Sequence, residues 1–160
     1  MAKKKDYIGK WGEQLFGGLI MDYFGRDMPY FDPLYTDGVF ETLDYYVELV
    51  GAPARYHFWV SVKSTNKGYT KVRGQRRLTV QVNREDVDRL VSFPAPTYVV
   101  GIYPFHREAY ILSVNEPRGP INHLTTAYPL NQANMERLWE EVHGFWEQRD
   151  MVLKNSVFTE

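Results

Sequence analysis

The stretch Thr97-Tyr98-Val99-Val100-Gly101-Ile102-Tyr103 carries no charge and is apolar almost throughout. A strand without polar alternation is one buried on both faces, so it belongs inside a sheet that other layers cover. Pro94 and Pro96 precede it, and a turn around Pro104 to Arg107 leads into a second strand, Glu108 to Val114. Upstream, Asp44–Val50 and Tyr56–Lys63 are rich in aromatic and β-branched residues and are separated by Gly51-Ala52-Pro53-Ala54. So short a connection makes an antiparallel hairpin the natural pairing. Arg77–Val82 reads as a shorter strand. Asp32-Pro33 and Asp37-Gly38 read as turns, and Ser64 to Gly74 as a flexible basic loop.

Three segments have helical periodicity. Over residues 6–25, Ile8, Trp11, Leu15, Leu19 and Tyr23 recur at spacings of three and four, with Gly25 as the expected C-cap. Asn83 is the expected N-cap of a helix running to about Phe93, with Asp86 at the capping-box position and Val87, Leu90 and Val91 toward the core. Residues 132–149 carry the stripe Met135, Leu138, Trp139, Val142, Phe145 and Trp146, for which core packing is the expected fate. The resulting order is αβββαββα. The expected fold is α/β, a central mixed sheet of about five strands flanked by helices. A chain of 160 residues suits one domain spanning 1–160.

Composition removes several kinds of chemistry. The chain has no cysteine, which excludes disulfides, thiolate catalysis and cysteine-ligated metals. His57, His106, His123 and His143 are scattered and form no i,i+4 pair, so a dedicated zinc site is not expected. A hard cation such as Mg²⁺ or Mn²⁺ needs only one or two carboxylates. No apolar run of signal-peptide length follows Met1-Ala2-Lys3-Lys4-Lys5, and none approaches a membrane span, so a cytoplasmic location is expected. There is neither a Gly-rich phosphate loop nor a Gly-x-Ser-x-Gly elbow, and Gly17-Gly18 reads as a close-packing point. Net charge is −1, yet Lys63, Lys67, Lys71, Arg73, Arg76 and Arg77 follow one another with no acid between them. Such a stripe suits a phosphate backbone, and it equally suits a solvated loop.

Glu13, at about 100° per residue, falls beside Ile20 and Phe24 at the margin of the first helix's buried face. On the first strand Asp44, Tyr46 and Glu48 share one face. On the next, Ser61 and Lys63 share a face opposite Phe58, Val60 and Val62. An acid on a helix, an acid on a strand and a lysine two residues after a polar residue on the partner strand form a set. This set resembles the PD-(D/E)XK, or restriction-endonuclease-like, superfamily, whose αβββαβ core has the order read above. The helical glutamate of that family maps to Glu13 within Gly12-Glu13. Its strand aspartate maps to Asp44, with Asp37 as the alternative, and its (E/Q)-x-K to Ser61-Val62-Lys63.

A closer likeness is to a branch with a Gly-Glu helix, an Asp-Gly-x-x-Asp region and a Gln-Val-Lys-Ser/Thr strand. Many of its members are nuclease modules in bacterial anti-phage defence. The likeness runs over roughly residues 6–114.

The resemblance implies hydrolysis of DNA or RNA, with Asp44 and Glu13 holding Mg²⁺ or Mn²⁺ and Lys63 stabilising developing negative charge. Lys67, Lys71, Arg73, Arg76 and Arg77 would bind phosphates mostly without reading sequence. It implies nucleic acid as partner, with a homodimer or a larger defence complex left open. Ser61 departs from the family, which has Glu or Gln there. Two accounts stay open. Glu48 replaces the missing carboxylate or water bridges Ser61 to the ion; alternatively, metal affinity is lost and the domain serves as a nucleic-acid-binding or protein-interaction module.

Overall fold

The computed structural model describes residues 4–149 and 153–159; Met1–Lys3, Asp150–Val152 and Glu160, and with them most of the basic N-terminal segment, lie outside. Three helices, α1 (Lys4–Ile20), α2 (Arg84–Ser92) and α3 (Gln132–Glu147), pack around two sheets. The larger sheet contains β1 (Phe31–Tyr35), β2 (Tyr45–Leu49), β3 (His57–Ser64), β6 (Thr97–Tyr103) and β7 (Glu108–Ser113), in the order β1-β2-β3-β6-β7. Only β3 and β6 run parallel, so the sheet is mixed, as expected. The smaller sheet joins β4 (Tyr69–Val72), β5 (Gln75–Leu78) and β8 (Leu124–Thr125). Among the described residues no helix is long and apolar enough to cross a membrane.

The uncharged run 97–103 is β6, flanked by β3 and β7 and buried along nearly its whole length. One face of the sheet, with Phe58, Val60, Val62, Val100 and Ile102, meets α1 and α3 through Phe16, Ile20, Met135, Leu138 and Val142. On the other face Val99 packs with Val87 and Leu90 of α2 and with Leu78 and Leu124 of the smaller sheet. Gly101 makes that second cover close-fitting: a Cβ there would lie 2.7 Å from Leu124 and 3.0 Å from Leu78.

Several local expectations are corrected. Asp32-Pro33 lies within β1 rather than in a turn; as an edge strand, β1 tolerates the missing proline donor. The segment 64–74 is not a loop throughout but includes β4, which pairs with β5 through a two-residue turn at Arg73-Gly74, both with positive φ (50° and 78°). Arg77–Val82 is therefore not a strand of the central sheet. Its first two residues end β5, and β1 takes its place in the count, so the central sheet still reads αβββαββα with the helices. The first helix stops at Ile20, before Gly25, and its buried stripe is Gly12, Leu15, Phe16 and Ile20; Trp11 and Tyr23 are exposed. In α3, Met135, Leu138, Val142 and Trp146 are buried. The indoles of Trp139 and Trp146 donate to the carbonyls of Val50 and His57, so both rings belong to the packed body.

Candidate active site

Glu13 reaches the sheet because α1 presses unusually close to it. A Cβ on Gly12 would stand 1.6 Å from Ser64 Oγ, and one on Gly17 would stand 2.7 Å from the Tyr45 hydroxyl. Glycine at both positions removes the obstacle. The Tyr45 hydroxyl then donates to the Glu13 carbonyl at 2.7 Å and fixes the helix against β2. Gly18, by contrast, meets nothing within 4 Å. We expect Gly12→Ala to lose about 1–3 kcal/mol of stability through overpacking, outweighing the ~1 kcal/mol that alanine gains in a helix. Chemical denaturation would measure this, and an undiminished unfolding free energy would contradict the close approach.

Glu13, Tyr35, Asp37, Tyr45, Val62 and Lys63 line a cleft of about 940 Å³ between α1 and the β2–β3 end of the sheet. Glu13 Oε2 accepts a 2.6 Å hydrogen bond from Tyr35. That bond, with partial burial, raises the tyrosine pKa, so the phenol stays a donor. Asp44 is half-buried, just before β2, where the backbone ladder ends; its Oδ2 accepts from the Val62 N–H at 2.7 Å. Its carboxyl is pushed from 3.8 to about 6, first by burial. The Val62 bond and Lys63 pull it down, while the Glu13 and Asp86 charges push it up. Glu13 on α1, Asp44 at the approach to β2 and Lys63 on β3 thus share one electrostatic neighbourhood.

Lys63 projects from β3 toward the α2 side and donates to Asp86 Oδ2 at 2.9 Å. Asp86 Oδ1 also accepts from Thr42 at 2.7 Å and Arg89 at 3.2 Å. Burial alone would raise its pKa, but the bonds from Thr42 and Lys63, with the Arg89 charge, bring it below the ordinary value. The helix cap forms as expected, Asn83 accepting from the Asp86 N–H. The Asp86 carboxylate nevertheless leaves the cap to hold the lysine. Sequence reading missed this role, as it missed Tyr35 and Gln81 on the cleft wall. Asp86 lies 23 residues from Lys63, and no periodicity relates them.

Glu48 is not brought to this group. It shares a strand face with Asp44 but lies four residues along, roughly 13 Å away at strand rise. There it accepts from Tyr46 at 2.9 Å and approaches Arg55 at 3.5 Å. Ser61 is fully buried and its Oγ has no hydrogen-bond partner. Of the basic stripe, Lys67, Lys71, Arg73 and Arg76 are exposed and Arg77 is half-buried.

Two carboxylates, those of Glu13 and Asp44, are the oxygen donors that a hard divalent cation would take here. No hydrogen bond from the described residues reaches Glu13 Oε1 or Asp44 Oδ1, leaving one oxygen on each of two mutually repelling carboxylates. No three His, Asp or Glu among the described residues could hold an ion together, so water and substrate oxygens would complete its shell.

No protein-family model matches this chain, and no curated protein matches it. Among solved structures, it is similar to a bacterial homing endonuclease, I-Ssp6803I, with a TM-score of 0.57 and 16% identity, over 93% of this chain and 100% of that one. At that identity the likeness speaks for architecture alone: the five-stranded mixed sheet flanked by helices is a nuclease-like fold.

Proposed function

We propose that this chain is a metal-dependent nuclease of the PD-(D/E)XK superfamily, one domain that hydrolyses phosphodiester bonds of nucleic acid. The observation that supports it best is that the charges of Glu13 and Lys63, two residues lining one cleft, both act on the half-buried acid Asp44. Asp44 and Glu13 would hold Mg²⁺ or Mn²⁺, which, when bound, polarises the phosphate and acidifies a water molecule. Asp86 holds the Lys63 amine in place through their 2.9 Å ion pair, from which it meets the negative charge gathering on the phosphoryl oxygens. A water oxygen bonds to phosphorus as the bond to the departing alkoxide breaks, and Tyr35 holds the Glu13 carboxylate in one orientation meanwhile. Lys67, Lys71, Arg73, Arg76 and Arg77 follow Lys63 in the chain and give the nucleic acid beside the cleft a basic stripe to bind. Service in bacterial defence or nucleic-acid processing is what the sequence likeness supports, and the lack of a long apolar run in the sequence supports a cytoplasmic location.

A second reading has its own support. Ser61 is buried and supplies no oxygen to the cleft, so the family's third ligand has no counterpart at that position. The domain would then bind nucleic acid without cutting it. Incubation of the whole chain with plasmid, single-stranded DNA and RNA in Mg²⁺, Mn²⁺ or EDTA separates the two. Cleavage in metal and none in EDTA is the expected result. Salt-dependent binding without cleavage of any substrate would replace it with the second reading.

A further inference from the structure

The segment between the two cleft-lining residues Lys63 and Gln81 forms the β4–β5 ribbon. Its base is anchored. Tyr69 Oη lies 2.9 Å from Tyr110 Oη, Leu78 is fully buried, and Arg77 and Leu78 pair with Thr125 and Leu124 of β8. Beyond that point β4 is the one strand paired with β5 among the described residues, with the Arg76 carbonyl accepting from the Thr126 hydroxyl at 2.9 Å, and the tip Thr70-Lys71 and Arg73–Arg76 is exposed apart from Val72.

The register assigns the ribbon's two faces. Tyr69 pairs with Leu78 and Lys71 with Arg76, and this face turns toward the body. Arg76 stacks on Tyr69, 3.5 Å from the ring centre, and lies 4.0 Å from Glu108. The opposite face carries Thr70 with Arg77 and Val72 with Gln75, continued by Thr125. The Arg77 guanidinium donates to Gln75 Oε1 at 3.5 Å. No carboxylate among the described residues pairs with Lys67, Lys71, Arg73 or Arg77.

A face with exposed Thr70 and Gln75 and half-buried Val72 and Arg77, edged by cations without a carboxylate partner, offers the guanidinium, amide and hydroxyl groups that base edges and flanking phosphates require. Two paired strands fit the roughly 12 Å major groove of B-form DNA, whereas the deep, narrow major groove of an RNA duplex excludes them. Four residue pairs span roughly 10 Å, about three base pairs.

From this we infer that the β4–β5 ribbon enters the major groove of double-stranded DNA and reads bases through Arg77 and Gln75, with Lys71 and Arg73 on the flanking phosphates. The inference deepens the nuclease reading, which left substrate and selectivity open, and it predicts sequence-selective binding where the basic stripe alone implied little.

Binding is measured on the whole chain in EDTA, so that its outcome does not depend on cleavage. The expected result is at least tenfold tighter binding to duplex DNA than to duplex RNA, and enrichment of a short motif from randomised duplexes. Arg77→Ala and Gln75→Ala should each flatten neighbouring positions of that motif by about tenfold. Arg73→Ala should weaken all sequences alike and lower the salt slope by about one. Arg77→Lys keeps the charge but loses the planar fork, so it should lose the motif while retaining most affinity. Melting curves confirm that each variant folds. Equal binding to both duplexes, absence of duplex-DNA binding, or a motif unchanged in both the Arg77 and Gln75 variants overturns the inference. Metal-dependent cleavage with a variant-insensitive motif sinks the ribbon alone; a ribbon-dependent motif without cleavage sinks only the catalytic assignment.

Discussion

Lys63→Ala should slow metal-dependent phosphodiester cleavage by about 10²- to 10³-fold, the cost of removing one donor aimed at developing negative charge. The protein should remain folded. The Lys63 side chain is 28% exposed, and without it Asp86 still accepts from Thr42 and Arg89, so the expected stability loss is about 1 kcal/mol or less. Affinity for nucleic acid should change little, because the ribbon cations remain, so the loss appears in kcat rather than KM. Asp86→Asn tests the supporting bond: the amide can still accept from Thr42, but the lysine loses its anionic anchor. A fall of about tenfold in kcat, with KM unmoved, is expected from mispositioning. Single-turnover assays at saturating Mn²⁺ measure both. Full-rate cleavage by Lys63→Ala would remove the lysine from the mechanism.

The architecture was legible where the chain repeats a simple period. The uncharged run 97–103, the alternating hairpin strands and the apolar stripe of α3 fall where hydrophobic patterning puts them, because burial on one or both faces dictates that pattern. Legibility failed where tertiary pairing overrides local signals. Asp32-Pro33 has turn chemistry yet lies on an edge strand, where one missing donor costs little. The ribbon 69–78 has no clean apolar alternation, because its inner face is packed only at the base, through Tyr69 and Leu78, while Lys71 and Arg76 share that face. Trp11 marked the wrong stripe of α1; the helix turns Gly12 and Gly17, not its largest ring, toward the sheet. At the site, Glu13, Asp44 and Lys63 could be picked out by residue type and order. Asp86 could not, since a carboxylate at a helix start already has a sufficient local explanation in capping. Glu48 illustrates the converse limit: sharing a strand face says nothing about distance along the strand.

Asp44→Asn should abolish metal-dependent cleavage and at the same time make the metal-free protein more stable. Asp44 binds its proton more tightly in the folded protein, near pH 6, than in the unfolded chain, near pH 3.8. Between those values the native state holds more protons at Asp44, so the contribution of Asp44 to stability falls as pH rises from about 4 to about 6 and is level above. The shift corresponds to ~3 kcal/mol, an upper bound because the residue is partly solvated. Asparagine keeps an acceptor for the Val62 N–H and removes the charge that burial and Glu13 oppose. At pH 7.5 the variant should therefore melt higher by about 5 °C, while at pH 4 the difference should nearly vanish. Millimolar Mn²⁺ should raise the wild-type melting temperature, since an ion that binds only the folded state stabilises it, and should leave the variant unmoved. Wild-type cleavage should rise with pH through about 6 as Asp44 ionises, Glu13 and Asp86 holding that midpoint up and Lys63 opposing them. Should the variant melt lower than wild type at pH 7.5 in EDTA, Asp44 is a structural acid whose charge the fold needs. A metal response that survives in the variant would place the ion elsewhere.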